Sequence, residues 1–365
     1  MPAFSAFDES CMRRGIALAE RGLYTTEPNP RVGCVIALGT EIVGEGWHQR
    51  AGEAHAEVLA LAQSGAKARG ATVYVTLEPC NHFGRTPPCV DALIRAGVGR
   101  VVCAEADPNP RVNGGGIERL RSAGIEVDVG LLADEAHALN PGFLKRHASG
   151  RPWVRAKLAM SLDGRTALAS GESRWITGED ARADVQHWRA RSSVIVTGVG
   201  TVLADDPRLD VRHPSLGDQV VQPLRVVLDS HGRTRATARI LAPPGECWIC
   251  VAPGQVSSAV GPGVAVRELP VTESGLDLTA LLGILVEREA NEVWVEAGPS
   301  LAGAFIREGL VDELVLYVAP RLLGSDARPL VVLPAIERIA DGPHWRYTDV
   351  RQIGADLRIM AVPHA

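Results

Sequence analysis

The sequence predicts an α/β protein in two layered domains, on three observations. At 365 residues the chain is longer than one hydrophobic core usually serves, since single cores rarely grow past about 250–300 residues. After an opening helix and hairpin, apolar runs at strand spacing alternate with runs at helical spacing, the pattern of a sheet covered by helices. Turn residues gather at Asn140-Pro-Gly-Phe143 and at His147-Ala-Ser-Gly-Arg-Pro152, as they do at domain boundaries. The expected domains are residues 1–148 and 149–365.

In the first domain, Met12, Ile16 and Ala19 stand near helical spacing before Gly22, so a helix is expected over 7–21. A turn over 25–30 opens a strand at 32–38, and 41–47 completes a hairpin across Gly39-Thr40. Residues 72–77 read as a strand, 89–94 as the start of a helix and 101–104 as another strand. Gly114-Gly-Gly116 opens a helix into Gly124, and 125–129 makes a fifth strand. The triple glycine matches neither Gly-rich phosphate fingerprint and reads as a flexible start to its helix.

The second domain begins with a strand at 153–159. A helix over 181–190 carries Arg189, and strands follow at 194–198, 224–230 and 246–251. The strand 292–296 runs through Gly298-Pro299-Ser300 into a helix at 301–306, and 314–320, 345–350 and 357–362 supply the closing strands. Cys247 and Cys250 form a Cys-x-x-Cys, which can be a redox or metal pair. On a strand that spacing sends the thiols to opposite faces, so they are expected to pack.

Chemistry concentrates first at His55-Ala-Glu57, Cys80 and Cys89. One imidazole and two thiols are three of the four ligands of a tetrahedral Zn²⁺ site, with the last position left for water. Metal there would acidify that water to near neutrality and make hydroxide available. Residues two apart in mid-helix diverge, so His55 and Glu57 are expected in the first turn, with the metal above the helix end. Cys89 at a helix start meets the positive end of the dipole, which favours its thiolate. Cys80 follows a strand through Glu78-Pro79.

A second signal is Glu296-Ala-Gly298-Pro299-Ser300. A strand ends, a turn follows, and a helix start offers free N–H groups to a phosphate or pyrophosphate. Glu296 stands where open α/β sheets place functional groups. No G-x-G-x-x-G is present, so a standard dinucleotide fingerprint is not supported.

Composition narrows the partners. The net charge of −5 without a long basic run argues against broad nucleic-acid or membrane-surface binding. Aromatics at 4% provide few stacking platforms for single strands. Seven unevenly spaced cysteines and no visible signal peptide fit a reducing cytoplasm. No run approaches the roughly 18 apolar residues of a membrane span.

These residues resemble a known family along nearly the whole chain. His-x-Glu with Pro-Cys and a second Cys is similar to the zinc nucleobase deaminases, whose common spacing is Cys-x-x-Cys. Here eight residues separate the thiols, 81–88. That gap is the pattern of the bifunctional riboflavin-biosynthesis deaminase/reductases. Pro28-Asn-Pro-Arg-Val-Gly-Cys-Val, Gly46-Trp-His-Gln-Arg-Ala-Gly-Glu-Ala-His-Ala-Glu, Thr76-Leu-Glu-Pro-Cys-Asn-His-Phe-Gly-Arg-Thr-Pro-Pro-Cys, Ser161-Leu-Asp-Gly-Arg-Thr-Ala and Trp294-Val-Glu-Ala-Gly-Pro-Ser also match.

The resemblance implies a cytidine-deaminase-like three-layer domain followed by a dihydrofolate-reductase-like domain. It implies zinc-dependent deamination of 2,5-diamino-6-(5-phosphoribosylamino)pyrimidin-4-one, then NADPH-dependent reduction of the ribosyl group to ribityl. A cytoplasmic homo-oligomer, dimer or tetramer, acting on small phosphoribosyl pyrimidines is implied as well. Glu57 takes the catalytic proton-transfer position. Asn29, His48, His82 and Arg85 match substrate-holding positions, and Arg85 suits phosphate in its own right. In the reductase half, Ser173, Arg189, Leu209, Arg212 and Glu296 match substrate positions, with Arg189 and Arg212 as the phosphate clamp. Ala159, Trp175, Thr201, Asp205, Ser230 and the run Gly298, Pro299, Ser300, Leu301, Ala302, Gly303, Ala304 match cofactor positions. Lys157 or Asp205 would assist ribose ring opening, and the sequence does not choose between them. On residues alone a salt bridge at a strand end is the plainer reading of both.

Two other classes compete. One is a zinc nucleoside or RNA deaminase whose second half only binds, a reading that requires no NADPH. The other is a structural zinc protein, which would normally present a fourth protein ligand.

Overall fold

The computed structural model describes residues 4–83, 87–110, 112–217 and 220–364. It falls into two compact units, Met1–Arg151 and Pro152–Ala365.

The first unit runs α1 (Ala6–Glu20), β1 (Gly33–Leu38), β2 (Glu41–Trp47), α2 (Ala56–Ser64), β3 (Thr72–Val75), α3 (Cys89–Ala96), β4 (Arg100–Cys103), α4 (Gly115–Ser122), β5 (Glu126–Val129), α5 (Ala133–Leu139) and α6 (Pro141–Ser149). Its sheet has the order β2-β1-β3-β4-β5. β1 is antiparallel to β2 and β3, while β3, β4 and β5 are parallel. Alternation along β3 builds three layers, because successive side chains face opposite sides. Val73 and Val75 pack with Ala56, Ala60, Val90 and Leu93 of α2 and α3. Tyr74 faces the other side, with Cys11, Met12 and Ala136 of α1 and α5. Gly46 lets α2 lie close on β2: a Cβ there would run into the Ala56 carbonyl.

Two local expectations change. The turn-rich run at 140–143 is the start of α6, because proline at the first helical position needs no N–H partner and has the right φ already. Asn140 is buried and docks on the Arg31 backbone, accepting from its N–H and donating to its carbonyl, both at 2.8 Å. The triple glycine is not flexible either: its N–H groups are bound, as described below.

The second unit runs β6 (Trp153–Ser161), β7 (Arg165–Ala167), α7 (Glu179–Arg191), β8 (Val194–Gly198), α8 (Val199–Asp205), β9 (Leu224–Leu228), β10 (Cys247–Val251), β11 (Val264–Glu268), β12 (Val271–Thr272), β13 (Gly275–Leu276), α9 (Leu278–Glu287), β14 (Glu292–Glu296), α10 (Pro299–Arg307), β15 (Glu313–Ala319), β16 (Arg328–Pro329), β17 (Trp345–Ile353) and β18 (Asp356–Pro363). The main sheet has the order β11-β10-β9-β8-β14-β6-β15-β18-β17. It is parallel from β11 to β15 and antiparallel at β15-β18-β17. The near-continuous apolar strands, such as Val194-Ile-Val196, are those of a sheet covered on both faces. Cys250 lies in the core against α9 and α10, and Cys247 in the core of the opposite face. Both are free and fully buried, as strand parity requires.

Asn140 predicts a measurable cost. Asn140→Ala removes two buried hydrogen bonds to the Arg31 backbone, at about 0.5–1.5 kcal/mol each. The unfolding transition of the first unit in urea should move to lower denaturant by a corresponding amount, with that of the second unit unchanged.

Candidate active sites

The first site is assembled at two helix starts and on the loop that follows β3. His55 is the extended residue that precedes α2, and Glu57 lies in that helix's first turn. Cys80 follows β3 and Cys89 opens α3. His55 Nδ1 stands 3.2 Å from Cys89 Sγ and 3.4 Å from Cys80 Sγ, and the three ligand atoms lie within 4.8 Å of one another. The Cys89 backbone N–H donates to Cys80 Sγ at 3.3 Å, and the Val90 N–H donates to the Cys80 carbonyl at 3.3 Å. These residues fit zinc. The donor set is the right one, and the spacing suits atoms that converge on a point roughly 2.0–2.3 Å from each.

The electrostatics agree. The hydrogen bond from the Cys89 thiol, opposed by burial, pulls Cys80 down to about 4, and His55 adds to the effect. The same bond, together with burial, pushes Cys89 far up. One proton thus sits where a soft cation would replace it. Glu57 is buried, and its carboxyl is raised by burial and by the Cys80 charge. A carboxyl raised in this way holds a proton more readily than a free one, which suits a group that must take a proton and return it.

Beside this cluster, His48 is buried and its ring lies edge-on to His55. His48 Nδ1 is 3.2 Å from the Ala54 carbonyl, which can only accept, so Nδ1 carries the hydrogen. Nε2 then accepts from Asn29 Nδ2 at 3.0 Å, leaving Asn29 Oδ1 as an acceptor. His82 is half-buried in the turn after Cys80, and Arg85 lies outside the described residues.

Glu78 was not singled out from the sequence. Its buried carboxylate accepts four backbone N–H groups: Asp107 at 3.1 Å and Gly114 at 3.1 Å on Oε2, Gly116 at 2.9 Å and Ile117 at 3.2 Å on Oε1. The signal that could have found it is the acidic residue two before a metal-ligand candidate, read together with an anion-receptive Gly-rich helix start.

The second site is a cavity of about 890 Å³ at the C-terminal ends of β6, β8 and β14. Lys157 and Ala159 reach it from β6, Arg189 from α7, Thr201 and Asp205 from α8, and Glu296 from β14. Ser173, Trp175, Leu209 and Arg212 line it from loops. Gly298, Pro299, Ser300 and Leu301 bring in the start of α10. Ser230, Ala302, Gly303 and Ala304 are not among its lining residues. Ala302 and Gly303 are buried, and a Cβ on Gly303 would run into the Val332 carbonyl.

The proposed phosphate clamp differs from expectation. Arg189 is buried and forks onto Glu296, Nε to Oε2 at 2.9 Å and Nη2 to Oε1 at 2.7 Å, while Nη1 donates to the Asp210 carbonyl. A buried guanidinium needs such partners, and Glu296 supplies them. Arg212 stays half-exposed on Asp210, at 2.6 Å. Arg174, Arg239 and Arg328, all exposed, also line the cavity. Arg182, seven residues before Arg189 on the same helix face, lies 4.5 Å over the Trp175 ring. That heptad spacing was the available signal for Arg182. Ser173 Oγ donates to Asp205 at 3.2 Å, and Arg174 donates to the Asp205 carbonyl.

Among the described residues no helix is long and apolar enough to cross a membrane. A family model of the cytidine and deoxycytidylate deaminase zinc-binding region matches residues 5–105, and one of the RibD C-terminal domain matches residues 152–359. The riboflavin biosynthesis protein RibD of Escherichia coli (strain K12) is 53% identical over 360 residues, spanning 96% of this chain and 98% of that protein. The Haemophilus influenzae RibD is 47% identical over 372 residues, spanning 100% and 99%. Among solved structures, Acinetobacter baumannii RibD has a TM-score of 0.91 at 47% identity, covering 98% of this chain and 99% of that one. A diaminohydroxyphosphoribosylaminopyrimidine deaminase/5-amino-6-(5-phosphoribosylamino)uracil reductase from Thermotoga maritima has a TM-score of 0.87 at 31% identity, covering 98% and 99%. The first unit is cytidine-deaminase-like with a zinc-type His/Cys/Cys site, and the second has the dihydrofolate-reductase-like fold of the RibD C-terminal domain. The chain therefore belongs to the RibD family, the bifunctional deaminase/reductases of riboflavin biosynthesis.

Proposed function

We propose that the first unit deaminates 2,5-diamino-6-(5-phosphoribosylamino)pyrimidin-4-one. The second unit then reduces the ribosyl group of the product to ribityl with NADPH. The observation that carries this reading is the convergence of His55, Cys80 and Cys89 around a buried Glu57 in a chain matched along its length to RibD proteins.

In the first site His55 Nδ1 and the two thiolates would hold zinc, which when bound acts as a Lewis acid that lowers the pKa of water to about 7. Glu57 takes a proton from the attacking water and returns it to the departing ammonia, the role its raised carboxyl suits. Asn29, whose Nδ2 is engaged by His48, accepts through Oδ1 from an N–H of the pyrimidine.

In the second site NADPH would supply the hydride. The free N–H groups at the start of α10 support its pyrophosphate. Lys157 Nζ stands 3.9 Å from Glu296 Oε1. Burial lowers the Lys157 pKa, partly offset by Glu296 and reinforced by Arg189. An ammonium made more acidic in this way gives a proton to the ribose ring oxygen as the ring opens, which favours Lys157 over Asp205 for that step. Arg212 and the exposed Arg174, Arg239 and Arg328 provide the positive mouth for phosphate. A homo-oligomer in the cytoplasm completes the reading, and the family resemblance supports it.

The test follows ammonia release and NADPH oxidation separately. Glu57→Gln and Cys80→Ser should abolish ammonia release yet still oxidise NADPH with pre-deaminated substrate. Lys157→Met should do the reverse, lowering the reductase kcat by roughly 10²–10⁴, the usual range for one acid/base group. NADPH left unconsumed on either substrate would make the second unit a binding module.

Glu296 gives a pH prediction. Burial alone would raise its carboxyl, but Arg189 and Lys157, with hydrogen bonds from Arg189 and Trp294, hold it at about 2 instead of 4.5. A carboxyl lowered on folding stabilises fully above its unfolded value and loses that contribution as pH falls through the folded one. Wild type should therefore lose stability in the second unit between about pH 4.5 and 2. The triple variant Lys157→Met/Arg189→Met/Glu296→Gln, which removes all three charges of the cluster together, should show a shallower slope there in tryptophan fluorescence.

A further inference from the structure

We propose that Glu78 is the positioning residue for the metal ligand Cys80, and that the Gly114–Gly116 turn is its receptor. The inference rests on the zinc reading of the first site.

Glu78 and Cys80 are joined by Pro79, which fixes one backbone torsion and leaves little slack between them. Among the described residues, the N–H groups that bind the Glu78 carboxylate come from Asp107 and from Gly114, Gly116 and Ile117, the last two in the first turn of α4. A helix start and a nest of converging N–H groups bind anions, and here the chain supplies the anion itself. Gly114 has φ +81°, the left-handed region that glycine tolerates. At Gly116 a Cβ would run into the Pro79 carbonyl and stand 3.0 Å from Glu78 Oε1. The receptor is therefore shaped around the Glu78-Pro79 peptide. The Glu78 N–H also donates to the Glu105 carbonyl at 2.9 Å.

From the other side, the start of α3 holds Cys80 by its sulfur and its carbonyl. Cys80 is thus fixed between two helix starts, one gripping it directly and one gripping it through Glu78. His55 and Cys89 are each placed at their own helix start, whereas Cys80 sits on a loop beyond β3. Without Glu78 the loop thiolate would keep its contacts to α3 and His55, and Asn81 its bonds to Gly115 and Arg119, but the N–H bonds that fix the peptide before Cys80 would be lost. Partners one step removed from a ligand usually contribute 10–100-fold to metal affinity.

The experiment uses the zinc-loaded full-length protein. It measures zinc content, zinc release to a chromogenic chelator at a temperature well below unfolding, and the absorption spectrum after cobalt substitution. Glu78→Gln keeps the shape but sets an amide N–H against backbone N–H groups, and Gly116→Ala displaces the same peptide from the other side. Both should release zinc roughly 10–100-fold faster and shift the cobalt bands, while reduction of pre-deaminated substrate stays at the wild-type rate. Tyr74→Phe serves as the stability control. It removes the 2.8 Å bond to Asp8 on the opposite face of the same sheet, so it should lower the melting temperature without changing zinc release. Wild-type release rates and cobalt bands in both variants would overturn the proposal, as would equally fast release from Tyr74→Phe. Wild-type protein that takes up no zinc would instead overturn the metal reading on which the proposal rests.

Discussion

A carboxylate removed from water must be given hydrogen-bond donors or cations, or it will not stay ionised. Both sites are arranged around that requirement. In the first unit Glu78 is surrounded by backbone N–H groups, so the loop carrying Cys80 is bound to the start of α4. In the second unit Glu296 is met by the Arg189 fork, the Trp294 indole at 3.1 Å and Lys157. The solutions differ in kind. Backbone dipoles satisfy Glu78 without adding charge, whereas Glu296 neutralises a cation, and the arginine's claim on it leaves Lys157 only partly compensated. A buried pair of this sort contributes little net stability, and removing one partner is destabilising. What the pair provides is a fixed geometry and a lysine whose proton is easier to give up.

The arrangement of α7 follows from the same point. Trp188 stacks on Trp294 with ring planes 2° apart, and Arg189 reaches Glu296 from the adjacent position on that helix. The apolar stack and the charged fork dock one helix on one strand, which places the wall of the cavity. At the other end of the sheet Arg155 is buried between Glu292 and Glu313, with Arg191 also on Glu292. The strands are therefore locked by ion pairs at their beginnings as well as at the site.

Much of this was legible in the residues. Strand parity separated Cys247 from Cys250, and helix geometry put Glu57 in a first turn, because those rules depend only on local spacing; His55, expected in the same turn, is instead the extended residue just before it. The zinc-type cluster was legible for the same reason at His55 and Cys89, which stand at helix starts, whereas Cys80 lies on a loop beyond β3 and was marked only by its sequence setting. Pairings that depend on distant approach were not. Arg189 and Glu296 are 107 positions apart, and no local pattern says that a guanidinium read as a phosphate clamp already has a carboxylate. Asn140 looked like a boundary residue because turn residues and helix-starting residues are the same types, and only the Arg31 backbone 109 positions away decides between them. Gly114–Gly116 looked flexible for want of any visible anion, and the anion lay 36–38 positions upstream.

The parity of β14 also constrains how this chain could diverge. Trp294 faces α7, while Val293 and Val295 enter the core of the opposite face with α9 and α10. An insertion or deletion of one codon within this strand would exchange the two sets, turning a charge toward apolar side chains and valines toward Arg189. Drift in length should therefore be confined to the connections outside the strand. Along this strand, point substitution, not insertion, is the route by which the cavity could change, while length can vary in the loops that also line it.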